Sequence, residues 1–254
     1  MLENLTSLSQ DISEFCKTNP SRKIVLVHGG AAKTTEVAEK LGIQQKFVES
    51  TSGFKSRFTD ARTLEVFTMV TCGLVNKQIV ASLQRAGVNA VGLSGADGRV
   101  LEAKRKDVLR IVENGKEKIL RGDFTGKVEK VNYELLNLLI EGGVVPVIAP
   151  VAISSENELV TTDADRNAAA IASALNAEKL VLLTDVDGFY ENYSASANAM
   201  ESALVSRIAS ESQLNNAIEK ASGGMKKKLL AAREALANGV RKVIISNGLK
   251  EMIL

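Results

Sequence analysis

Tryptophan is absent from this chain of 254 residues, phenylalanine and tyrosine together make up 4%, and there is a single histidine. So few aromatics exclude the base-stacking platforms on which single-stranded nucleic acids bind. A formal net charge of +2 removes bulk electrostatic attraction as a route to duplex DNA. The two cysteines, Cys16 and Cys72, are far apart and set among apolar neighbours. They form no metal-spaced pair and read as small core thiols. No apolar run approaches the roughly 18 residues of a membrane span, and the first residues do not read as a signal peptide. A cytoplasmic location without a membrane partner is expected.

Three motif classes are also missing. There is no Gly-x-x-x-x-Gly-Lys-Ser/Thr, which excludes the P-loop, and no strand runs into Gly-x-Gly-x-x-Gly, which leaves a dinucleotide dehydrogenase without support. Asp185-Val186-Asp187-Gly188 lacks the alternating oxygen ligands and distant glutamate of a calcium loop.

What is present is an ordinary globular composition, 45% hydrophobic and 24% charged, in a chain long enough to bury a large core. Leu5, Leu8, Ile12 and Phe15 recur at helical spacing, and a second stripe carries Leu64, Phe67, Val70 and Leu74. Continuous apolar strands are expected at 23–27, 90–93, 144–148, 180–184 and 242–246, with helices between them at 33–41, 133–140 and 226–238 and one after the 161–165 turn that carries Ala168, Ile171 and Leu175. Short charged strands are expected at 108–112, 118–120 and 128–131. Alternation of this kind predicts an α/β fold, a three-layer α/β/α sandwich with a mostly parallel central sheet. Ligands of such sheets sit beyond the carboxyl ends of the strands. The turns at 28–30, 94–98, 161–165 and 184–188 all follow strands.

These turns carry the candidate chemistry. Gly29-Gly30 lets backbone N–H groups approach a phosphate or carboxylate just before a helix start. His28 either packs beneath that glycine turn or serves as a general base, although no nucleophilic serine or cysteine accompanies it in a local motif. Asp163 and Asp165 stand at the mouth of a helix, where a carboxylate caps N–H groups and gains from the dipole. Gly223-Gly224-Met225-Lys226-Lys227-Lys228 joins backbone donors to cations at another helix start. Cations and donors are what a transferring phosphoryl group needs, because its charge spreads over three oxygens. A lysine run at that end opposes the dipole, so an anionic partner is expected, and Asp165 can orient lysines by ion pairing.

In order along the chain, Val27-His28-Gly29-Gly30, Gly92-Leu93-Ser94-Gly95, Asp163-Ala164-Asp165, Thr184-Asp185-Val186-Asp187-Gly188 and Gly224-Met225-Lys226-Lys227-Lys228 together resemble the amino-acid kinase family. Its members phosphorylate carboxylates or phosphates with ATP and Mg2+. The branch resembled is that of the N-acetylglutamate kinases. Ser52-Gly53-Phe54-Lys55-Ser56-Arg57-Phe58-Thr59-Asp60 and Phe124-Thr125-Gly126-Lys127-Val128 are more similar to an archaeal sub-branch. That sub-branch phosphorylates aminoadipate or glutamate carried on a small acidic amino-group carrier protein, in lysine and arginine biosynthesis.

The resemblance implies a substrate lobe over residues 1–176, a nucleotide lobe over 177–254 and a homodimer. It implies that Lys228 and Asp165 are catalytic, that Gly29, Gly30, Ala31, Arg57, Thr161 and Asp163 contact substrate with Lys55 competing for the carboxylate, and that Thr184, Asp185, Val186, Gly188, Gly223, Gly224 and Met225 hold the nucleotide. No protein metal site is implied; magnesium comes with ATP. Relatives usually have a third glycine at the position of Ala31 and an asparagine at that of Thr161. Residues 102–130 hold nine Lys or Arg against six Asp or Glu, a charged stretch that either steers an acidic carrier or is simply solvated.

Two departures frame the alternatives. The family opens on a strand bearing Lys-x-Gly-Gly, and it runs on at the other end into a terminal strand. Neither is expected here, and a start codon placed too late is the favoured reading. The alternatives are an N-acetylglutamate kinase acting on the free substrate and a nucleotide- or amino-acid-binding protein impaired in catalysis.

Overall fold

The computed structural model describes residues 5–51, 55–113, 116–191 and 203–250. In chain order the first half comprises α1 (Leu5–Thr18), β1 (Leu26–Val27), α2 (Ala31–Lys40), β2 (Lys46–Ser50), β3 (Lys55–Phe58), α3 (Ala61–Thr68), α4 (Asn76–Arg85), β4 (Ala90–Ser94), β5 (Leu101–Arg105), β6 (Val108–Glu113), β7 (Lys116–Arg121) and β8 (Gly126–Val131). The second half comprises α5 (Tyr133–Glu141), β9 (Val145–Ala149), β10 (Val151–Ile153), β11 (Leu159–Thr161), α6 (Ala164–Ala174), β12 (Lys179–Thr184), β13 (Tyr190–Glu191), β14 (Ala203–Leu204), α7 (Glu211–Lys220), α8 (Gly223–Ala237) and β15 (Lys242–Asn247).

The continuously apolar strands pair in parallel, as sheets covered on both faces do. β9 lies between β1 and β4, and β12 pairs with β15. The charged stretch behaves differently. β6 and β7 form an antiparallel hairpin that joins β2 and β3, while β5, β8, β10 and β11 make a second four-stranded sheet. β5 was not expected from sequence, yet it alternates: Leu101 and Ala103 are buried, while Glu102 between them is half-buried and Lys104 beyond them faces out.

Polar residues help to seat the N-terminal helix. Ile12 is 1% exposed, while Ser9 donates to Ser82 at 2.9 Å and Ser13 to the carbonyl of Ala86 at 2.7 Å. α3 starts on Asp60, whose carboxylate accepts from the Thr63 N–H at 2.8 Å. It then runs through a π turn at Met69–Val75 into α4. The whole helix, Ala61–Arg85, is long and apolar enough to cross a membrane by composition, but 44% of its most apolar window is buried in the fold.

The π turn re-phases the buried stripe. Val70 and Thr71 are buried early in the turn and Val75 and Asn76 at its end, so Leu74, expected inside, is 39% exposed. A 3.6-residue repeat cannot anticipate the extra residue that a π turn inserts.

α6 is shared between cores. Its Ile171 packs with Val100, Leu101, Leu136 and Ile148, and its Ala169 and Ala172 pack with Leu180, Leu182, Ala231 and Ala235. α8 begins at Gly223 and not at Lys226, so the Gly-Gly pair is its first turn. α7 starts on Ser210, whose hydroxyl accepts from the Gln213 N–H at 3.2 Å.

Candidate active site

The first β–α turn of the parallel sheet sets one wall. β1 ends at Val27, His28 N–H donates to Ile148 O at 3.1 Å, and the chain turns through Gly29 and Gly30 into α2. Gly30 is the cap residue of α2, and a Cβ there would lie 2.7 Å from Thr71 Cγ2 in the π turn. Only glycine fits. Thr34 N–H donates to Gly30 O at 2.8 Å, closing the first turn of the helix. The N–H groups at a helix start of this kind can hold an anion.

The second wall is the head of α6. Built on Gly29, a Cβ would sit 3.9 Å from Ala164 Cβ, which brings the glycine turn against the Asp-Ala-Asp motif. The two carboxylates divide the work. Asp163 is the N-cap and accepts from the Arg166 N–H at 3.2 Å, with Lys227 Nζ 3.6 Å from its other oxygen. Asp165 lies in the first turn and accepts from Lys228 Nζ at 2.7 Å.

Both members of that pair are well covered, with Lys228 15% and Asp165 24% exposed. Burial pushes the Asp165 carboxyl above the usual aspartate range, and the Lys228 ammonium beside it pulls the other way without cancelling the effect. A carboxylate held there without a cation would carry a large desolvation penalty. The lysine run at the start of α8 thus meets the anionic partners expected of it.

Behind the reacting ends, Arg166 grips Glu234 of α8 through Nε at 3.0 Å and an Nη at 2.6 Å. Arg57, on β3, reaches over from the other side. One of its Nη atoms donates to Ala31 O at 2.9 Å and to Thr35 at 3.0 Å, the other donates to Gln45, and the guanidinium lies 5.3 Å over the Phe47 ring. Burial pulls its pKa down from the ordinary arginine value. Arg57 and Ala31 are therefore brought to one end of α2. The side chain of Lys55 and residues 52–54 lie outside the described residues.

Thr161 is 5% exposed, its N–H bonds Phe124 O at 2.8 Å and its hydroxyl turns toward the same oxygen at 3.5 Å. On the other flank, Thr184 ends β12 and donates to Asp185 at 3.2 Å. Asp187 accepts from Asn247 at 2.8 Å and pairs with Lys250 at 2.9 Å, which together hold its carboxyl below the usual range. Met225 packs into the cluster of Phe189, Leu214 and Leu229, beside the Gly188 turn. Gly223, at φ 55°, and Gly224 leave the first turn of α8 bare of side chains. Among the described residues, no three His, Cys, Asp or Glu side chains gather in metal-binding range.

Three partners were not read from the sequence. Asn76, Arg166 and the buried Asp123 each pair with residues distant in the chain; Asp123 accepts from the Thr59 N–H at 2.8 Å.

Parallel strands, a glycine turn at a helix start and a lysine–aspartate pair at two further helix starts define a phosphoryl-transfer enzyme of α/β architecture. The chain belongs to the amino acid kinase family, whose profile matches residues 2–247. It is similar to a protein of Thermus thermophilus named [LysW]-aminoadipate kinase, with 44% identity over 96% of this chain and 88% of that one. A [LysW]-aminoadipate kinase of Deinococcus radiodurans is 51% identical over 89% of this chain and 75% of its own length. Among solved structures, N-acetylglutamate synthase from Neisseria gonorrhoeae complexed with coenzyme A and N-acetyl-glutamate superposes with a TM-score of 0.76 at 23% identity. That match covers 98% of this chain and 52% of the other, and it shows the shared fold.

Proposed function

We propose that this chain is an ATP-dependent kinase that phosphorylates the side-chain carboxylate of 2-aminoadipate or glutamate carried on a small acidic amino-group carrier protein. The product is an acyl phosphate, an intermediate for lysine or arginine biosynthesis in the cytoplasm. The observation that carries this reading is the 2.7 Å contact between Lys228 and Asp165, set against the Gly29-Gly30 turn. Two relatives named [LysW]-aminoadipate kinase, at 44% and 51% identity, support the choice of acceptor.

The chemistry follows from the acceptor. A carboxylate is already ionised and needs no general base, so the site has only to place and neutralise. One carboxylate oxygen forms a bond to the γ-phosphorus as the bond from that phosphorus to the β–γ bridging oxygen breaks, and ADP leaves with the electron pair. Lys228, held in place by Asp165, offsets the charge that spreads over the phosphoryl oxygens. The free N–H groups at the head of α2 face the same oxygens or the acceptor. Arg57 is poised beside Ala31 for the substrate carboxylate, with Asp163 and Thr161 on the α6 side.

Thr184, Asp185, Val186 and Gly188, with Gly223, Gly224 and Met225, form the nucleotide side of the proposed division into residues 1–176 and 177–254. Magnesium would arrive with ATP, holding phosphate oxygens and water and lowering the charge the lysine must meet.

The test is ATP turnover coupled to hydroxylamine trapping of the acyl phosphate. Carrier-linked aminoadipate and glutamate are compared with the free amino acids and with free N-acetylglutamate. Hydroxamate formed on the carrier-linked substrates is the expected result. Robust turnover on free N-acetylglutamate alone rejects the carrier, and ATP binding without turnover rejects the kinase.

A further inference from the structure

Beneath the glycine turn, a buried amide is held by three partners, and its orientation follows from their chemistry. Asn76 is 0% exposed. Lys77 Nζ lies 3.1 Å from its Oδ1, and an ammonium only donates, so that atom is the oxygen. The carbonyl of Val147 lies 2.9 Å from the other terminal atom and only accepts, so that atom is the nitrogen. Lys77 is itself fixed by Gly92 O at 3.1 Å. Two independent partners thus fix the amide.

The second hydrogen on Asn76 Nδ2 points at His28 Nε2, 3.1 Å away. That ring nitrogen must accept, so it carries no proton. The opposite ring nitrogen, Nδ1, lies 2.7 Å from Gly29 O, an oxygen that can only accept, so Nδ1 carries the hydrogen. The imidazole is neutral in one defined tautomer. A proton on Nε2 would set two donors against each other, with the Lys77 ammonium nearby and burial opposing charge as well.

The pinned atom belongs to the peptide that matters. Gly29 O and Gly30 N–H lie on opposite sides of one planar trans peptide, so fixing the oxygen on the ring turns the N–H away from it. Glycines on both sides would otherwise leave that peptide free to rotate.

We propose that Asn76 and His28 act in series as positioning residues: Asn76 sets the tautomer of His28, and the ring pins the Gly29 carbonyl so that the Gly30 N–H is presented to the reacting oxygens. This rests on the kinase reading above, in which the glycine turn is part of the site. Neither residue touches substrate.

The single histidine makes the test direct, because ring-15N labelling of the full chain yields one pair of resonances. A protonated Nδ1 and a bare Nε2, unchanged from pH 5 to 8, are expected. A ring that titrates in this range, or carries its proton on Nε2, overturns the proposal. In Asn76→Asp the donor becomes an acceptor, and the ring should take up a second proton within that range.

Kinetics provide the second arm, independent of whether Asn76→Asp folds. Asparagine can place an amide N–H where Nδ1–H stands, so His28→Asn should keep kcat within about threefold, while His28→Ala loses about tenfold or more with KM for ATP unchanged. Equal losses in the two variants, or none in His28→Ala, overturn the positioning role. If the unmodified chain forms no acyl phosphate, the kinase reading fails and the ring spectra still decide the tautomer.

Discussion

Arg166 of α6 and Glu234 of α8 are joined by two parallel hydrogen bonds, of 3.0 and 2.6 Å, in the turn behind Asp165 and in the last turns of the lysine-bearing helix. The pair fixes the relation between two helix starts that the site requires at hydrogen-bond accuracy. A planar guanidinium opposite a carboxylate gives direction as well as attraction, which a lysine at position 166 would not supply.

Because both partners are about a third exposed, solvent screening keeps the coupling small. A double-mutant cycle of Arg166→Ala and Glu234→Ala should give roughly 0.5–1 kcal/mol in chemical denaturation. The effect on turnover should exceed what that number suggests, since displacement of α8 moves Lys228. A cycle with no coupling in either measurement contradicts the clamp.

The two lysine–aspartate contacts are unequal, and the variants should be unequal too. Lys228 sits 2.7 Å from Asp165 and is 15% exposed, whereas Lys227 sits 3.6 Å from Asp163 and is 41% exposed. Lys228→Ala should lower acyl phosphate formation by about 10²-fold or more with the fold retained by circular dichroism. Lys227→Ala should cost less than about tenfold. The reverse ranking would displace Lys228 from the centre of the site.

Asp165 provides a pH signature. Its carboxyl is raised above the ordinary value of 3.8, chiefly by burial. A raised carboxylate contributes stability below its unfolded pKa and loses that contribution as pH rises through the folded value, so ionised Asp165 is a cost that the fold carries at neutral pH. Activity runs the other way, because the lysine needs the charged form. The acid limb of kcat should therefore fall at a pH above 3.8, and Asp165→Asn should lack that limb. An identical limb in the variant assigns it to another group.

Gly30 tests the packing of the turn. In Gly30→Ala the new methyl meets Thr71 Cγ2 at 2.7 Å on a fully buried side chain, and overpacking of this kind costs about 1–3 kcal/mol. Adding Thr71→Ser removes the clashing methyl and keeps the hydroxyl on Phe67 O, so the double variant should recover much of the loss. Thermal unfolding of the four proteins measures it. An unperturbed single variant would mean the helix gives way easily.

What could be read from sequence was local. Gly29-Gly30, Asp163-Ala164-Asp165 and the Gly223–Lys228 run each declare their chemistry within a few residues, and the apolar strands declare parallel pairing. What could not be read was long-range or aperiodic. Arg166 finds Glu234 across 68 positions and Asn76 finds His28 across 48, and no pattern in either neighbourhood specifies the partner. The π turn breaks the repeat on which stripe analysis depends. β5 was hidden because its outward residues are charged, although Leu101 and Ala103 alternate correctly. α7 is legible in the sequence, with a capping Ser210 and apolar Leu214, Ala217 and Ile218 at helical spacing.

α6 packs its Ile171 into one core and its Ala169 and Ala172 into another. Neither half can melt without uncovering a face of that helix to water, so loss of one core withdraws support from the other. The chain should lose its structure in a single cooperative transition, with coincident midpoints by every probe. Asp165 rides on the element that enforces that cooperativity, so activity and global stability should disappear together on heating.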